Sequence, residues 1–249
     1  MDEKITSNYN RVGNFTSSQI WKLMTNGKAA GTLGKPALTY IQEKNFERKL
    51  GQLLDADTHS KPTTWGNLCE EFAFQQLGME YRLQSQSTYT HPEYDCWKGS
   101  ADCIKFTETY QAVVDIKCPY TRKSFCLFNE IQNADELRND HPDGEAYYWQ
   151  LVSNAIINNC THAELVVFMP YQSELDAIRD LCQQIGTVDD MHRYFWIANS
   201  RDSDLPYLID GGYYKHLHII AFEIPEADKQ ALTERVAICC HMLNLVKNL

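Results

Sequence analysis

The chain has 249 residues, of which 43% are hydrophobic, 22% charged and 12% aromatic, a composition that fits a folded globular protein and excludes a disordered one. No apolar run approaches the roughly 20 residues that a membrane-spanning helix needs, and the polar, acidic start MDEKITSNYN lacks the pattern of a secretory or transit signal. The net charge of −10 argues against indiscriminate polyanion coating, but residues 1–125 carry 15 Lys/Arg against 14 Asp/Glu and residues 126–249 carry 8 against 19, so any nucleic-acid face belongs mainly to the first half.

Nine cysteines form an odd set without a CxxC pair, which predicts reduced, mostly buried thiols rather than a disulfide framework. No repeat or interdomain linker is visible, and the whole chain, 1–249, reads as a single domain. In chain order, Ile20, Leu23 and Met24 recur at helical spacing within a short helix over 16–26, capped by Thr16 or Ser17 and stopped by Gly27. The glycine-bearing loop from Gly27 to Lys35 lacks the P-loop spacing, since Ala29 and Pro36 stand where glycine and Ser/Thr are required. Pro36 opens a helix to about Leu54, and a third helix covers Thr64–Leu77.

Strands are predicted over Thr88–Thr90, Gly99–Phe106 and Ala112–Lys117, followed by a helix over Glu145–Asn158 and a strand over Leu165–Met169. Ser173 to Asp176 suggests a capping box for a helix ending at Gly186. Strands over Tyr194–Ala198 and Leu217–Ile224 precede a final helix that begins at Pro225, with Glu226 and Asp228 at its positive end and Lys247 near its negative end. Helices before, between and after a short run of strands indicate an α/β (α+β) fold, a central mixed β-sheet flanked by helices, with 225–249 as the C-terminal helix.

The chemically informative segment is Gly99-Ser-Ala-Asp102 followed by Val113-Val-Asp115-Ile-Lys117-Cys-Pro119. In a strand, Asp115 and Lys117 point to one face and Ile116 to the other. Two charges on an otherwise apolar strand are costly unless they pair, bind metal or reach water. A hairpin would bring Asp102 beside Asp115, and two opposed carboxylates are relieved by a shared proton or a divalent cation. Oxygen ligands select Mg²⁺ or Mn²⁺ over zinc. A neighbouring lysine can hold an attacking water or stabilise charge on a reacting phosphate. An edge strand with a surface ion pair is the alternative reading of these three residues.

Asp102 followed by Asp115-Ile-Lys117 resembles the PD-(D/E)xK signature of the restriction-endonuclease-like nucleases, and the closer likeness is to the phage lambda exonuclease and YqaJ-type viral recombinase family. Four segments resemble that family in order: Arg11 to Ser18, Trp65-Gly-Asn-Leu-Cys-Glu70, Asp115-Ile-Lys-Cys-Pro-Tyr120, and Tyr147-Tyr-Trp-Gln150. The resemblance implies a restriction-endonuclease-like core and a Mg²⁺-dependent exonuclease, with Mn²⁺ able to substitute and two ions per site. Such an enzyme degrades one strand of duplex DNA from its 5′ end to mononucleotides and leaves a 3′ tail for recombination. By the same resemblance, Asp102, Asp115 and the Ile116 carbonyl hold the metals, Glu70 assists them, and Lys117 orients the water. Arg11 and Ser18 receive a 5′-phosphate, and Tyr147 and Gln150 face the cleft. Helical geometry alone leaves Glu70 and Glu71 open.

Departures from the family pattern are Ala101 and Cys103 in place of the proline and glycine that flank Asp102, aspartate rather than glutamate at 115, and greater length between Pro119 and Tyr147 and over 170–215, which the resemblance marks as an insertion. The family also implies a homotrimeric ring, a single-strand annealing protein as partner, and the cytoplasm of a bacterial or phage-infected cell. An endonuclease of the same superfamily is one alternative, although its iron–sulfur version needs spaced C-terminal cysteines that adjacent Cys239 and Cys240 do not supply. A catalytically inactive DNA-binding scaffold is another, against which the intact Asp102, Asp115 and Lys117 stand. His216 and His218 alternate as a metal pair would, or as residues of a half-exposed strand do.

Overall fold

The computed structural model describes residues 11–54, 60–85, 88–184 and 188–245. The chain begins with β1 (Phe15–Thr16), a 3-10 helix (Ser17–Met24), α1 (Lys35–Leu50) and α2 (Lys61–Gln75). The strands β2 (Tyr81–Leu83), β3 (Tyr89–Thr90), β4 (Trp97–Gly99), β5 (Cys103–Phe106) and β6 (Gln111–Lys117) follow. Then come α3 (Arg122–Asn129), α4 (Ala134–Asp140), α5 (Gly144–Asn158), β7 (His162–Phe168), α6 (Leu175–Gln184), α7 (Val188–Ala198), β8 (Leu217–Glu223) and α8 (Glu226–Leu245). This is a mixed α/β fold. A five-stranded sheet of order β2-β5-β6-β7-β8 is antiparallel except for the β6–β7 pair, and a three-stranded sheet has the order β1-β4-β3.

The two faces of β6 and β7 bury different cores, so both strands read as continuous apolar runs. Val113, Leu165 and Val167 face α5 and α8 through Leu151, Val152, Leu232 and Val236, whereas Val114, Ile116, Val166 and Phe168 face Trp65 and Leu68 of α2 and Ile178 of α6. Because β6 and β7 are parallel, the chain must cross between them, and α3 to α5 make that crossover.

Several elements differ from the sequence expectation. The helix opened by Pro36 stops at Leu50 because Gly51 takes a left-handed conformation with φ of 70°. The short N-terminal helix is 3-10, and α2 begins at Lys61 with Ser60 as its N-cap. The run Gly99–Phe106 is not one strand: it leaves the small sheet at Gly99 and enters the large one at Cys103. Tyr194–Ala198 is the end of helix α7 rather than a strand, since Tyr194 and Ile197 are buried three residues apart while Phe195 is exposed. Glu174 closes its turn on the Tyr171 N–H, and Ser173 bonds Asp210 instead of capping α6. The expected helix end at Gly186 and Lys247 lie outside the described residues.

Cys96 and Cys240 form a disulfide, which corrects the expectation of reduced thiols throughout; their Cα atoms stand 6.2 Å apart although 144 positions separate them in the sequence. His216 is bound by Glu174 at 3.0 Å and His218 by the Ile131 carbonyl at 2.8 Å, so the two do not form a metal pair.

One contact fixes the N-terminal segment. Gly13 has φ of 65°, and a side chain there would collide with Arg48. The Gly13 N–H donates to Glu47 at 2.8 Å and its carbonyl accepts from Arg48 at 2.7 Å, while the Lys44 ammonium lies 2.8 Å from Glu47. Glu47 and Lys44 are both buried, so truncating one partner strands the other. Glu47→Ala is expected to cost about 3–5 kcal/mol in urea unfolding; a loss below about 1 kcal/mol contradicts this assignment.

Candidate active site

The site forms where the chain passes between sheets. The register pairs Cys103 with Val114, and Asp102, the residue just before β5, lies close enough to Asp115 to feel its charge. The Asp102 N–H donates to the Val114 carbonyl at 3.1 Å. Beyond it the strand ends, and the Asp102 carboxylate accepts the Ile116 N–H at 2.5 Å. Asp115 is buried; its Oδ1 accepts from Gln150 of α5 at 2.5 Å. Its Oδ2 has the Lys117 ammonium at 2.6 Å. The ammonium also lies 5.5 Å from the centre of the Tyr147 ring. Ile116 turns its side chain into the opposite core.

Glu70 approaches from α2. It is half-buried while Glu71 is exposed, so the helix presents Glu70 to the carboxylates. Burial, then the charge of Asp102, pushes the Glu70 carboxyl up to about 8 against the pull of Lys117. Burial, then Asp115, pushes Asp102 up to about 7. Burial alone would lower Lys117, but Asp115, Asp102 and Glu70 together outweigh it and hold the ammonium charged. The Cys69 and Cys118 thiols are pushed well up by burial and remain neutral core groups.

Asp102, Asp115, Lys117 and Gln150 line a cleft of about 160 Å³ together with Arg11, Thr16, Ser18, Lys98 and Ser100. All but Gln150 come from the first half of the chain. The parallel β1–β4 pairing sets Thr16 beside Lys98, whose ammonium donates to Thr90 at 2.7 Å and is lowered by burial. Gly99 is required here, since a Cβ would meet Ser17, Asn154 and Ile157 within 2.7 Å. A buried node, Ser17 to Ser153 at 2.7 Å and Trp97 to Ser153 at 2.8 Å, ties the 3-10 helix and β4 to α5.

The structure therefore brings together Asp102, Asp115, Lys117, Glu70 and Gln150, and places Arg11 and Ser18 in the same cleft. Tyr147 packs against Phe128 and His141 beside Lys117 and does not line the cleft. Lys98, Thr16 and Ser100 are cleft residues that the sequence reading missed. Only the pairing of two very short strands reveals them.

The oxygen donors suit a hard divalent cation. Asp102, Asp115 and Glu70 bring carboxyl oxygens to one spot, and burial together with their mutual repulsion holds Asp102 and Glu70 above their ordinary range. Among the described residues no group of three His, Cys, Asp or Glu side chains forms a ready-made cage, so two carboxylates with water or backbone oxygen make the starting set.

The YqaJ-like viral recombinase domain model matches residues 10–164, more than half of the chain. The chain belongs to that family. An alkaline exonuclease from Laribacter hongkongensis superposes with a TM-score of 0.62 at 15% identity, covering 98% of this chain and 95% of that one. A phage-related exonuclease from Haemophilus somnus 129PT gives 0.62 at 15% identity, covering 94% and 95%. The Laribacter enzyme in complex with dAMP gives 0.59 at 14%, covering 97% and 93%. These likenesses establish a shared fold. A comparison with curated protein sequences gives no match.

The raised carboxyls have a consequence for stability. Glu70 and Asp102 prefer their protonated forms when folded, while in the unfolded chain they ionise near their ordinary 4.5 and 3.8. Without divalent metal, the contribution is complete below about pH 4 and is lost as pH rises toward about 8. In EDTA, Tm should fall over that window, less so in Glu70→Gln, and added Mn²⁺ should raise Tm more at pH 8.5 than at pH 6. Equal Mn²⁺ shifts at both pH values would contradict the assignment.

Proposed function

We propose that this protein is a metal-dependent exonuclease that hydrolyses one strand of duplex DNA from its 5′ end, releases mononucleotides and leaves a 3′ single-stranded tail. The observation that carries this reading is the neighbouring pair Asp102 and Asp115 with Lys117 beside them, in a cleft that Arg11 and Lys98 also line. Membership of a viral recombinase family supports DNA as the substrate, and fold neighbours titled as exonucleases support end-dependent hydrolysis. A neighbour complexed with dAMP is consistent with a mononucleotide product.

Asp102, Asp115 and the Ile116 carbonyl would hold Mg²⁺ or Mn²⁺, two ions in the full site, with Glu70 assisting. The cations supply an activated water and offset charge on the reacting phosphate. Lys117, kept protonated by its carboxylate neighbours, donates to the attacking water and to the phosphate oxygen. Gln150 holds the Asp115 carboxylate in place. Water oxygen bonds to phosphorus and the P–O3′ bond breaks, so the shortened strand retains a 5′-phosphate. Arg11, Ser18 and the first-turn N–H groups of the 3-10 helix form the receptor for that terminal phosphate. Each cut thus regenerates the group that the cleft recognises.

The homotrimeric ring, the annealing-protein partner and a cytoplasmic location belong to the same proposal. Among the described residues no helix is long and apolar enough to cross a membrane.

Digestion of a linear duplex labelled at either 5′ or 3′ ends tests the reading: 5′-labelled mononucleotides should appear first, only with divalent metal, and circular duplex should stay intact. Cleavage of the circle, or loss of 3′ label first, would overturn it. Lys117→Ala should reduce cleavage by about 10²–10⁴-fold with DNA binding retained. Arg11→Ala should erase the preference for 5′-phosphate over 5′-hydroxyl ends; an unchanged preference removes Arg11 from the receptor.

A further inference from the structure

Beyond the cleft, the end of β6 leads into a second surface. Tyr120 follows Lys117 by three residues, no more than about 11 Å of extended chain. It packs edge-on against Trp196 of α7, with ring centroids 6.1 Å apart. The Lys61 ammonium lies 5.1 Å from the Trp196 ring, and the Arg122 guanidinium lies 5.5 Å from the ring of Tyr207. Both cations are exposed, all three rings are half-buried, and among the described residues neither cation is in a salt bridge. The nearby Asp204 carboxylate, which helps burial push Tyr120 up, is itself held by Arg201 at 3.1 Å.

These rings close the core on the α2 side of the sheet, with Trp65 beneath Tyr120, whereas Arg11 and Ser18 lie on the side of α5. The end of β6, with Asp115 and Lys117, separates the two surfaces. We propose that Lys61–Trp196 and Arg122–Tyr207 form a stacking platform for the unpaired strand of DNA that remains when its complement enters the cleft. The proposal rests on the exonuclease reading, which creates such a strand.

The chemistry suits a single strand better than a duplex. Bases in a duplex are stacked on each other and present only edges, whereas unpaired bases offer faces to aromatic rings. An exposed ammonium over a ring is a weak contact. A base stacked on that ring is a stronger one, so the cation can turn outward to a phosphate as the base takes its place. Two ring-and-cation pairs at the margin of the same core provide this arrangement. Their surroundings matter: the second half of the chain carries a net −11, and these cations face rings rather than carboxylates.

The test is fluorescence anisotropy of a labelled sixteen-nucleotide oligo(dT) and of a blunt duplex, with the full chain in EDTA, alongside hydrolysis of linear duplex in metal. Trp196→Ala with Tyr207→Ala should weaken oligo(dT) binding about tenfold or more, with blunt-duplex binding changed less than about twofold and Trp196→Phe largely restoring the loss. Those rings also close a core, so exposed-residue variants provide an independent check. Lys61→Ala with Arg122→Ala should reduce the slope of log affinity against log salt by about 1.4, at about 0.7 per single-strand phosphate contact. Unchanged oligo(dT) affinity and slope in the Lys61/Arg122 variant would overturn the platform. So would a parallel loss for oligo(dT) and duplex in either variant. A wild-type protein that binds oligo(dT) through these residues yet leaves linear duplex intact would refute the exonuclease reading instead.

Discussion

The site depends on one electrostatic constraint: the turn into β5 sets Asp102 near Asp115 at a largely apolar sheet end. Like charges repel at close range, and burial magnifies the repulsion. The chain answers it with Lys117 on the same face, the Ile116 N–H on Asp102 and Gln150 on Asp115. Each partner neutralises or solvates one oxygen, and the balance is still incomplete. Burial first, and then their mutual repulsion, keeps Glu70 and Asp102 well above the ordinary carboxylate range. A hard dication at this spot would favour their ionised forms.

The rest of the fold holds this spot against a second, cationic one. The Gly13 clamp from α1 sets the direction of the segment that carries Arg11, and the Ser17–Ser153–Trp97 node seats the 3-10 helix against α5. Helix α5 thereby reaches two parts of the cleft lining, with Gln150 on Asp115 and Ser153 one turn on against Ser17. The acidic balance of the whole chain is compatible with a polyanionic substrate because the cleft draws almost all its residues from the near-neutral first half.

How much of this could be read from the sequence follows from contact range. Asp115 and Lys117 are legible because strand periodicity places them on one face, and the wider Asp102–Asp115–Lys117 pattern needs only a hairpin. The family resemblance singled out Glu70 over Glu71, and α2 turns Glu70 inward. Lys98 was not legible: it reaches the cleft through β1 and β4, strands of two and three residues whose pairing joins positions 82 residues apart at Thr16 and Lys98. The Gly99–Phe106 run looked continuous because its composition gives no sign that the chain changes sheets at Ser100 to Asp102. Tyr194–Ala198 looked like a strand because aromatic residues favour strands, yet their burial repeats every third residue. The Cys96–Cys240 pairing is likewise a tertiary fact with no local signature.

The central claim is that the Asp102–Asp115 pair is a divalent-cation site. Electron paramagnetic resonance titration of Mn²⁺ into the wild-type chain and into Asp115→Asn tests it most directly. The account predicts saturable Mn²⁺ binding that disappears in the variant while the protein remains folded. Binding of the same strength and number in Asp115→Asn would contradict it.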